Sequence, residues 1–485
     1  MSQILPPVVT IQRDYISRPN WVWVCVSIGV MMAALDGTMM SIALPTIAKS
    51  LHTSLQDTQW VMLAYMLSIS VLLLPVGRLS QHYGEHRLYV LGVALYGFAA
   101  ICCGFSHSVA VLITCRLIQG VGAAMLMALG PVMLSQVFGR QLGRPMAGLN
   151  IVVAFASILA PIVAGWVLEH LDWHYLFWMS LPISTSGVIM GVFVLKPWKE
   201  HSALGCEPFD WRGSLASMMM LGSTLFLLTY GLKRPDLLTL NVVLTLLCVL
   251  SAVWFFRHIH HYASPILSLA ALKDRAVQVT CLSSFVVFGA TFVMGFLLPF
   301  YFQEALGLNP KEVGYMLIVF PAGLALTAPL AGALSDRYGS NWLGLFSMLG
   351  LAASTAFMAG FTASTPIWLI VVQQFIFGLL SGFFHAPNNR ALIIALEESG
   401  SVSLSGGALA LVRTLGNAFG VTMIGLVFLL TGGELSTMNA SFFVGLSWVM
   451  ALSAVAIVPI IVLQWRFSRN LPPQVTTTVE IKDAA

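Results

Sequence analysis

The segments GRLSQHYG (Gly77 to Gly84) and GALSDRYG (Gly332 to Gly339) decide the fold of this chain. They lie 255 residues apart and share Gly, Leu, Ser, Tyr and Gly at the same positions. Each copy follows one hydrophobic stretch and precedes another. A short segment repeated between hydrophobic stretches indicates that the chain consists of two related halves.

The composition shows that these halves lie in a membrane. Of the 485 residues, 58% are hydrophobic and only 9% are charged, and the mean hydropathy is +0.88. Soluble domains carry about 25% charged residues, so a soluble globular fold is excluded. The net charge of +4 does not indicate nucleic-acid binding, because the basic residues fall in loops on one side of the membrane. Two related halves in a membrane are typical of secondary transporters with a binding site between the halves.

Hydrophobic stretches long enough to cross a bilayer, about 20 residues each, occur fourteen times between 21–44 and 441–465. The two copies of the repeated segment follow the second and the tenth stretch. The simplest layout is therefore six spans, an inserted pair and six more spans. We predict an all-α polytopic membrane protein with this division: an N-terminal tail (1–20), a six-helix bundle (21–196), a linker with the inserted spans (197–275), a second six-helix bundle (276–465) and a C-terminal tail (466–485).

The distribution of Lys and Arg predicts the orientation. With the N-terminus placed in the cytoplasm, 17 of the 23 basic residues fall in cytoplasmic segments and four in outer loops. The remaining two, Arg116 and Arg413, lie inside spans. Because cytoplasmic loops are enriched in Lys and Arg, we predict that both termini are cytoplasmic.

Three charged side chains fall in the middle of spans: Asp36, Arg116 and Arg413. A charge at the bilayer centre costs about 3 kcal/mol on insertion scales, so such residues face partners, water or substrate. Asp36 is the candidate proton carrier, and Arg116, which keeps its proton, is the candidate partner that biases it. The alternative is that these are structural charges held by neighbouring groups. The second half has Gln374 in place of Arg116, which favours a specific role for Arg116.

Other polar or small residues in the spans allow both functional and structural interpretations. Pro161 and Gly165, near Ala156, Ala160 and Ala164, either allow ordinary tight packing or form a hinge or seal against a facing helix. His385 is either a core histidine or part of a proton relay. The candidate substrate pocket consists of Trp60, Tyr65, Gln119, Asn150, His385, Asn388 and Arg413.

The sequence lacks the motifs of ATP-driven transport and of the common hydrolases. There is no P-loop, HExxH or GxSxG segment, and the seven cysteines show no metal-ligand spacing. We therefore expect no enzyme activity, no cofactor and no metal. The proton gradient is the expected energy source.

Six segments together resemble the major facilitator superfamily, and more narrowly its fourteen-span drug:proton antiporter branch. They are LDGTMMSIALP (Leu35 to Pro45), QWVMLAYML (Gln59 to Leu67), the two repeated segments, CRLIQGVGAA (Cys115 to Ala124) and SILAPIVAGWVLEHLDWHYLFWMSLPI (Ser157 to Ile183). The repeated segments resemble the superfamily's loop motif. The first and last segments resemble motifs typical of proton-coupled export.

The resemblance implies which residues control conformational change. These are Gly77, Arg78, Gly84 and Arg87 in the first loop, Gly332, Asp336, Arg337 and Gly339 in the second, and Pro161 and Gly165 in the fifth span. The chain departs from the family pattern at Gln81, where an acidic residue is usual, and at Ala160 and Ala164, where glycine is usual. In the family, that acidic residue is thought to hold the transporter in its inward-closed state, so Gln81 implies that this contact is weakened or rebuilt in the N-terminal half.

The leading hypothesis is a monomeric proton-coupled antiporter in the bacterial inner membrane. It exports amphipathic drugs or toxic organic compounds, cations being the expected class, by alternating access. The main alternative is a transporter of the same fold dedicated to one endogenous metabolite. A third possibility is a sensor without transport, which would be expected to lack the intramembrane charges.

Overall fold

In this computed structural model, all regular elements of the described residues are helices. The structure describes residues 19–138, 143–195, 210–229, 238–262, 273–338, 340–398, 405–431 and 440–469. The predicted all-α polytopic architecture is confirmed. Gly339, the last residue of the second repeated segment, lies outside the described ranges.

The N-terminal half contains seven helices. They are α1 (Pro19–Ser50), α2 (Leu55–Tyr83), α3 (Glu85–Gly104), α4 (Val109–Phe138), α5 (Gly143–His170), α6 (His174–Trp178) and α7 (Ser180–Leu195). The short α6 and α7 together cover the sixth predicted span. Within this half α4 packs against α2 and α3, and α1 packs against α5.

The inserted pair and the C-terminal half follow. The inserted pair consists of α8 (Trp211–Thr229) and α9 (Leu238–His261). The C-terminal half contains α10 (Arg275–Phe300), a π-helical turn (Tyr301–Ala305), α11 (Pro310–Leu317), α12 (Val319–Tyr338), α13 (Ser340–Met358), α14 (Ile367–Glu398), α15 (Ser405–Thr431) and α16 (Ala440–Arg469).

The turns that precede α2 and α11 are separated by the same 255 residues as the two repeated segments. His52 has φ 50° and Gly307 has φ 66°, both in the left-handed region. Two residues later, Ser54 caps α2 by accepting a hydrogen bond from the Asp57 amide, and Asn309 caps α11 through the amide of Glu312. Such side chains satisfy amides that have no partner in the helix. The two halves therefore share local capping chemistry as well as a motif.

The second half contains one extra residue, which lies in a π-helical turn. Before this turn, equivalent residues such as Pro45 and Pro299 are 254 positions apart, whereas after it the spacing is 255. The amide of Leu51 bonds to the carbonyl of Ile47, four residues back, whereas the amide of Leu306 bonds to that of Tyr301, five residues back. A π turn adds a residue to a helix in this way. Upstream of it, residues 254 apart are equivalent.

Close helix contacts repeat between the halves. A Cβ added to Gly120 on α4 would lie 2.7 Å from the carbonyl oxygen of Tyr65 on α2. A Cβ added to Gly378 on α14 would meet the carbonyl of Phe320 on α12. Tyr65 and Phe320 are 255 residues apart. Glycine at both positions lets equivalent helices approach closely.

Eleven segments in the described ranges are long and apolar enough to cross a membrane. They include α1 to α5, the α6–α7 segment, α9, α10 with its π turn, α14, α15 and α16. The other predicted spans fall on α8, on the interrupted pair α11–α12 and on α13, whose apolar part is shorter. The chain is thus a multi-pass membrane protein, while the count of fourteen spans and the domain boundaries stay predictions.

The inserted pair contacts both halves through α8, which packs against α2 and α15, while α9 packs against α8. The two inserted helices are joined at one end by His258, whose Nε2 lies 2.6 Å from Oδ1 of Asp210. The same carboxylate oxygen accepts a hydrogen bond of 2.8 Å from the amide of Gly213. One side chain therefore both caps α8 and binds α9.

Candidate functional site

A buried ion pair joins α1 to α4. Nη1 of Arg116 lies 2.8 Å from Oδ1 and 2.7 Å from Oδ2 of Asp36. The Arg116 side chain is 1% exposed and that of Asp36 is 11% exposed. The structure thus brings together two of the three charged residues that the sequence places in the middle of spans. The small remaining exposure of Asp36 leaves the carboxylate, but not the guanidinium, with surface that water can reach.

Gln119 contacts the same nitrogen of the guanidinium. Its Oε1 accepts a third hydrogen bond, 2.8 Å long, from Nη1 of Arg116, and it also lies 3.8 Å from the thiol of Cys103. Gln119 is one helical turn from Arg116 and is itself fully buried. It therefore belongs to the ion-pair cluster, and its predicted role in a substrate pocket stays a prediction.

Two aromatic rings enclose the same guanidinium. The carbon Cζ of Arg116 lies 5.0 Å from the ring centroid of Tyr65 and 5.2 Å from that of Phe177. A guanidinium is attracted to the negative face of an aromatic ring, and the rings also exclude water. Tyr65, which the sequence assigned to the pocket, therefore lines the ion pair. Phe177 was missed, because one phenylalanine in an apolar run gives no sequence signal.

Open space adjoins the ion pair. A Cβ added to Gly37, the residue after Asp36, would have no neighbour within 4 Å. Most other glycines of the helices would place a Cβ against a neighbouring atom. The residue that follows Asp36 on α1 thus borders open space.

The C-terminal half has no such pair at the equivalent positions. Asp36 corresponds to Ala290, because the spacing upstream of the π turn is 254 residues. Arg116 corresponds to Gln374, which is fully buried with both side-chain polar atoms unpartnered among the described residues. The paired charges are therefore a property of the N-terminal half alone.

Arg413 supplies the charge of the C-terminal half, on α15. Its Nη2 lies 3.8 Å from the sulfur of Met127 on α4, so the side chain spans the boundary between the halves. No carboxylate in the described part of the chain forms an ion pair with it. Met127 was missed by the sequence analysis, since a methionine in an apolar helix carries no specific signal.

His385 and Phe288 form a stacked pair of rings that is linked to Arg413 through Asn417. Their rings stack with centroids 4.4 Å apart, and Nδ1 of His385 is buried without a partner among the described groups. Asn417, with its amide in the orientation that satisfies both of its bonds, donates to the carbonyls of Arg413 at 3.3 Å and Phe288 at 3.2 Å. This asparagine fixes the backbone of Arg413 against α10.

The remaining pocket residues lie elsewhere or are not described. Trp60 packs against Phe226 of the inserted helix α8, with ring centroids 5.3 Å apart. Asn388 donates a hydrogen bond of 2.6 Å to the hydroxyl of Ser284, which joins α14 to α10. The side chain of Asn150 lies outside the described part. A pocket role for these three residues stays a prediction.

The gating residues of the first loop lie at the α2–α3 junction. Gly84 alone separates the two helices and has φ 87°, a conformation that favours glycine. Arg78 is half-buried on the last turns of α2, Arg87 is exposed on the first turn of α3, and a Cβ on Gly77 would meet nothing within 4 Å. Gly332, Asp336 and Arg337 fall on α12, but their side chains lie outside the described set. Their gating roles stay predictions.

The two halves meet tightly along what we call the seam: Pro161, Gly165 and Glu169 of α5 facing Pro310, Lys311 and Gly314 of α11. A Cβ on Gly165 would lie 2.8 Å from the carbonyl oxygen of Pro310, and one on Gly314 would meet that of Pro161. Nζ of Lys311 lies 3.3 Å from Oε2 of Glu169. The seam lies at the end of the bundle that carries the α1–α2 turn. The charge pattern predicts that this end is extracellular.

The sequence pattern that defines the Major Facilitator Superfamily matches residues 26–272 and 280–483. The chain belongs to the major facilitator superfamily. It is a membrane transporter of this superfamily, and its two halves with sites at their boundary agree with that assignment.

Its relatives transport different compounds. The riboflavin transporter RibZ of Clostridioides difficile is 31% identical over 414 residues, which cover 85% of this chain and 89% of RibZ. The tetracenomycin C resistance and export protein of Streptomyces glaucescens is 27% identical over a stretch that covers 84% of this chain and 76% of that protein. The drug efflux pump JefA of Mycobacterium tuberculosis is 27% identical over 82% of this chain and 78% of JefA. The relatives include both drug exporters and a vitamin transporter.

Proposed function

We propose that this transporter is a proton-coupled antiporter that exports amphipathic organic compounds across a bacterial inner membrane by alternating access. The observation that carries the proposal is the Asp36–Arg116 pair. Of the 19 acidic residues in the chain, Asp36 is the one in the middle of a predicted span. It is the acid best placed to carry a proton through the protein.

The geometry of the pair supports a coupling role. When Asp36 is ionised, both of its oxygens accept hydrogen bonds from one Arg116 nitrogen, and α1 is held to α4. Protonation of Asp36 removes its charge and leaves the buried guanidinium with a weaker partner. The relation between α1 and α4 then changes with the protonation state. The pair can therefore stabilise one conformation of the transporter when Asp36 is ionised and the other when it is protonated, the two being open to the cytoplasm and open to the outside.

The seam supports the accompanying conformational change. Its glycines bring the backbones of α5 and α11 into direct contact, while the Glu169–Lys311 pair is half-exposed and weak. The seam would close the outer side in the cytoplasm-facing stage. Rocking of the halves would separate it in the outward-facing stage.

The test is export by purified protein in liposomes with an imposed pH gradient, using a panel of fluorescent dyes, biocides and antibiotics. Wild-type protein should move one or more compounds against their gradient and move protons the other way. The Asp36→Asn variant should lose gradient-driven export, because the amide keeps the shape but cannot titrate. Exchange of labelled substrate without a gradient should persist.

The matched control is Asp172→Asn, which removes an exposed carboxylate that contacts His174. It should leave gradient-driven export unchanged. Export at the wild-type rate by Asp36→Asn would contradict the role of Asp36. Glu304 and His385 would then be the next candidates for the proton site.

A second candidate is transport of one endogenous metabolite, favoured by the 31% identity to a riboflavin transporter over most of both chains. Riboflavin should then be the substrate of highest affinity, and the dyes, biocides and antibiotics of the panel should neither move nor compete with it. Transport of several unrelated compounds, with mutual competition, would support the exporter instead.

A further inference from the structure

The charges at the boundary between the halves do not balance. Asp36 is neutralised by Arg116, with contacts of 2.7 and 2.8 Å. Arg413 has only the thioether of Met127 as a hydrogen-bond partner among the described residues, at 3.8 Å. A thioether is a weak acceptor. The described boundary therefore carries one cation in excess.

The surroundings of Arg413 place this cation in the central region. Met127 of α4 corresponds to His385 of α14, because Arg116 corresponds to Gln374 with a spacing of 258 residues. Arg413 contacts the first of these positions. Asn417 joins its backbone to that of Phe288, whose ring stacks on His385 at the second position. Arg413 is thus linked to equivalent positions of the two halves.

An unpaired guanidinium in a membrane-spanning helix is expensive and is usually found where it meets water or a ligand. Arg413 retains some accessible surface, whereas the paired Arg116 retains almost none. Its planar fork of N–H donors matches the two oxygens of a carboxylate, sulfonate or phosphate. The hydrogen bonds of Asn417 hold the backbone that carries this fork in place.

A pair of stacked rings is linked to the backbone of Arg413. The rings of His385 and Phe288 have centroids 4.4 Å apart, Asn417 joins the carbonyl of Phe288 to that of Arg413, and the unpartnered Nδ1 of His385 adds a polar atom. An aromatic ligand packs well against such rings through offset or edge-to-face contacts.

We propose that Arg413, with His385 and Phe288, forms a substrate subsite for an anionic group carried on a flat aromatic body. The inference rests on the proposed transport function, because it names the substrate class of that same site. It departs from the expectation of cationic substrates, since a cation would have to approach an uncompensated guanidinium. The anion would neutralise Arg413 as Asp36 neutralises Arg116.

Two dyes with the same xanthene ring system and opposite charge provide the test: fluorescein, an anion, and rhodamine 123, a cation. Binding to the purified full-length protein in detergent is measured by fluorescence anisotropy at neutral pH. Wild-type protein should bind fluorescein more tightly than rhodamine 123. In Arg413→Gln the fluorescein affinity should fall roughly 10- to 100-fold, the range expected for a lost charged hydrogen bond. The fluorescein affinity of Arg413→Lys should lie between those of the wild-type protein and Arg413→Gln.

A variant that keeps Arg413 guards against a simple folding defect. Met127→Glu places a carboxylate next to the guanidinium, within reach of the 3.8 Å contact. It should abolish fluorescein binding while keeping the protein folded, as judged by size exclusion and thermal unfolding. The control is Arg466→Gln, which removes an exposed arginine on α16 and should leave both affinities unchanged.

Three results would overturn the subsite. They are wild-type affinity for fluorescein in Arg413→Gln, no fluorescein binding to wild-type protein, and rhodamine 123 binding as tight as that of fluorescein. Because binding is measured without a membrane or a pH gradient, it does not depend on proton coupling. Loss of transport in Asp36→Asn with intact fluorescein binding would separate the two proposals.

Discussion

The two halves of the transporter share a helical plan and differ in how they hold a buried cation. In the N-terminal half, Arg116 is 1% exposed and is bound by Asp36, Gln119 and two aromatic rings. In the C-terminal half, Arg413 has one thioether contact and no described carboxylate. The first cation is neutralised by a carboxylate of the protein, whereas the second has no carboxylate partner among the described residues. The repeated fold thus carries a buried ion pair in one half and an arginine without a described counter-charge in the other.

The largest expected effect comes from breaking the pair on one side only. Arg116→Gln leaves the Asp36 carboxylate buried without its cation, and the free energy of unfolding should fall by about 3–5 kcal/mol. The double variant Asp36→Asn/Arg116→Gln should recover most of this loss, because neither charge remains. Thermal unfolding of the purified variants in detergent measures both. Equal destabilisation in the single and double variants would mean that Arg116 acts through packing.

The glycines test whether the halves are equivalent outside the charges. Gly120→Ala and Gly378→Ala should each lower the free energy of unfolding by about 1–3 kcal/mol, since each added Cβ would meet the carbonyl of an equivalent residue, Tyr65 or Phe320. Gly295→Ala is the control, because its Cβ would meet nothing within 4 Å. A large cost at one site and none at the other would break the equivalence.

Arg413→Gln should not lower the free energy of unfolding as Arg116→Gln does in the same thermal unfolding assay. Without substrate, removal of an uncompensated cation should leave the free energy of unfolding unchanged or raise it by about 1 kcal/mol. Arg466→Gln again serves as the control. A loss of stability as large as that in Arg116→Gln would show that Arg413 has a structural partner, and the contrast between the halves would fail.

The smallest effect is expected at the seam. Lys311→Met removes a half-exposed ion pair with Glu169 and should change the free energy of unfolding by less than about 0.5 kcal/mol. Labelling of a Val313→Cys variant, at a buried position of α11 next to Gly314, from outside the cell should increase only slightly in this background. A large increase in labelling would mean that the ion pair, and not the glycine contacts, holds the halves together at this end.

The sequence predicted the all-helical membrane fold, the duplication and the residues with costly charges, because each leaves a local signal. Hydrophobic length reports a span, and a buried Asp or Arg stands out in an apolar run. The spacing also predicted that Gln374 takes the place of Arg116. It did not predict the π turn, because one extra residue in an apolar helix leaves no composition change.

Only the tertiary structure decided which of these residues meet. The contact of Asp36 with Arg116, 80 residues away, depends on how α1 packs against α4. No sequence pattern predicted that Gln119 binds Arg116, that Trp60 packs against the inserted helix or that Met127 contacts Arg413. A methionine or phenylalanine of the core cannot be distinguished by sequence from one that lines a pocket, since both environments favour apolar side chains. Local chemistry thus determined the spans and their charges, whereas packing between distant helices determined that one arginine is neutralised and the other is not.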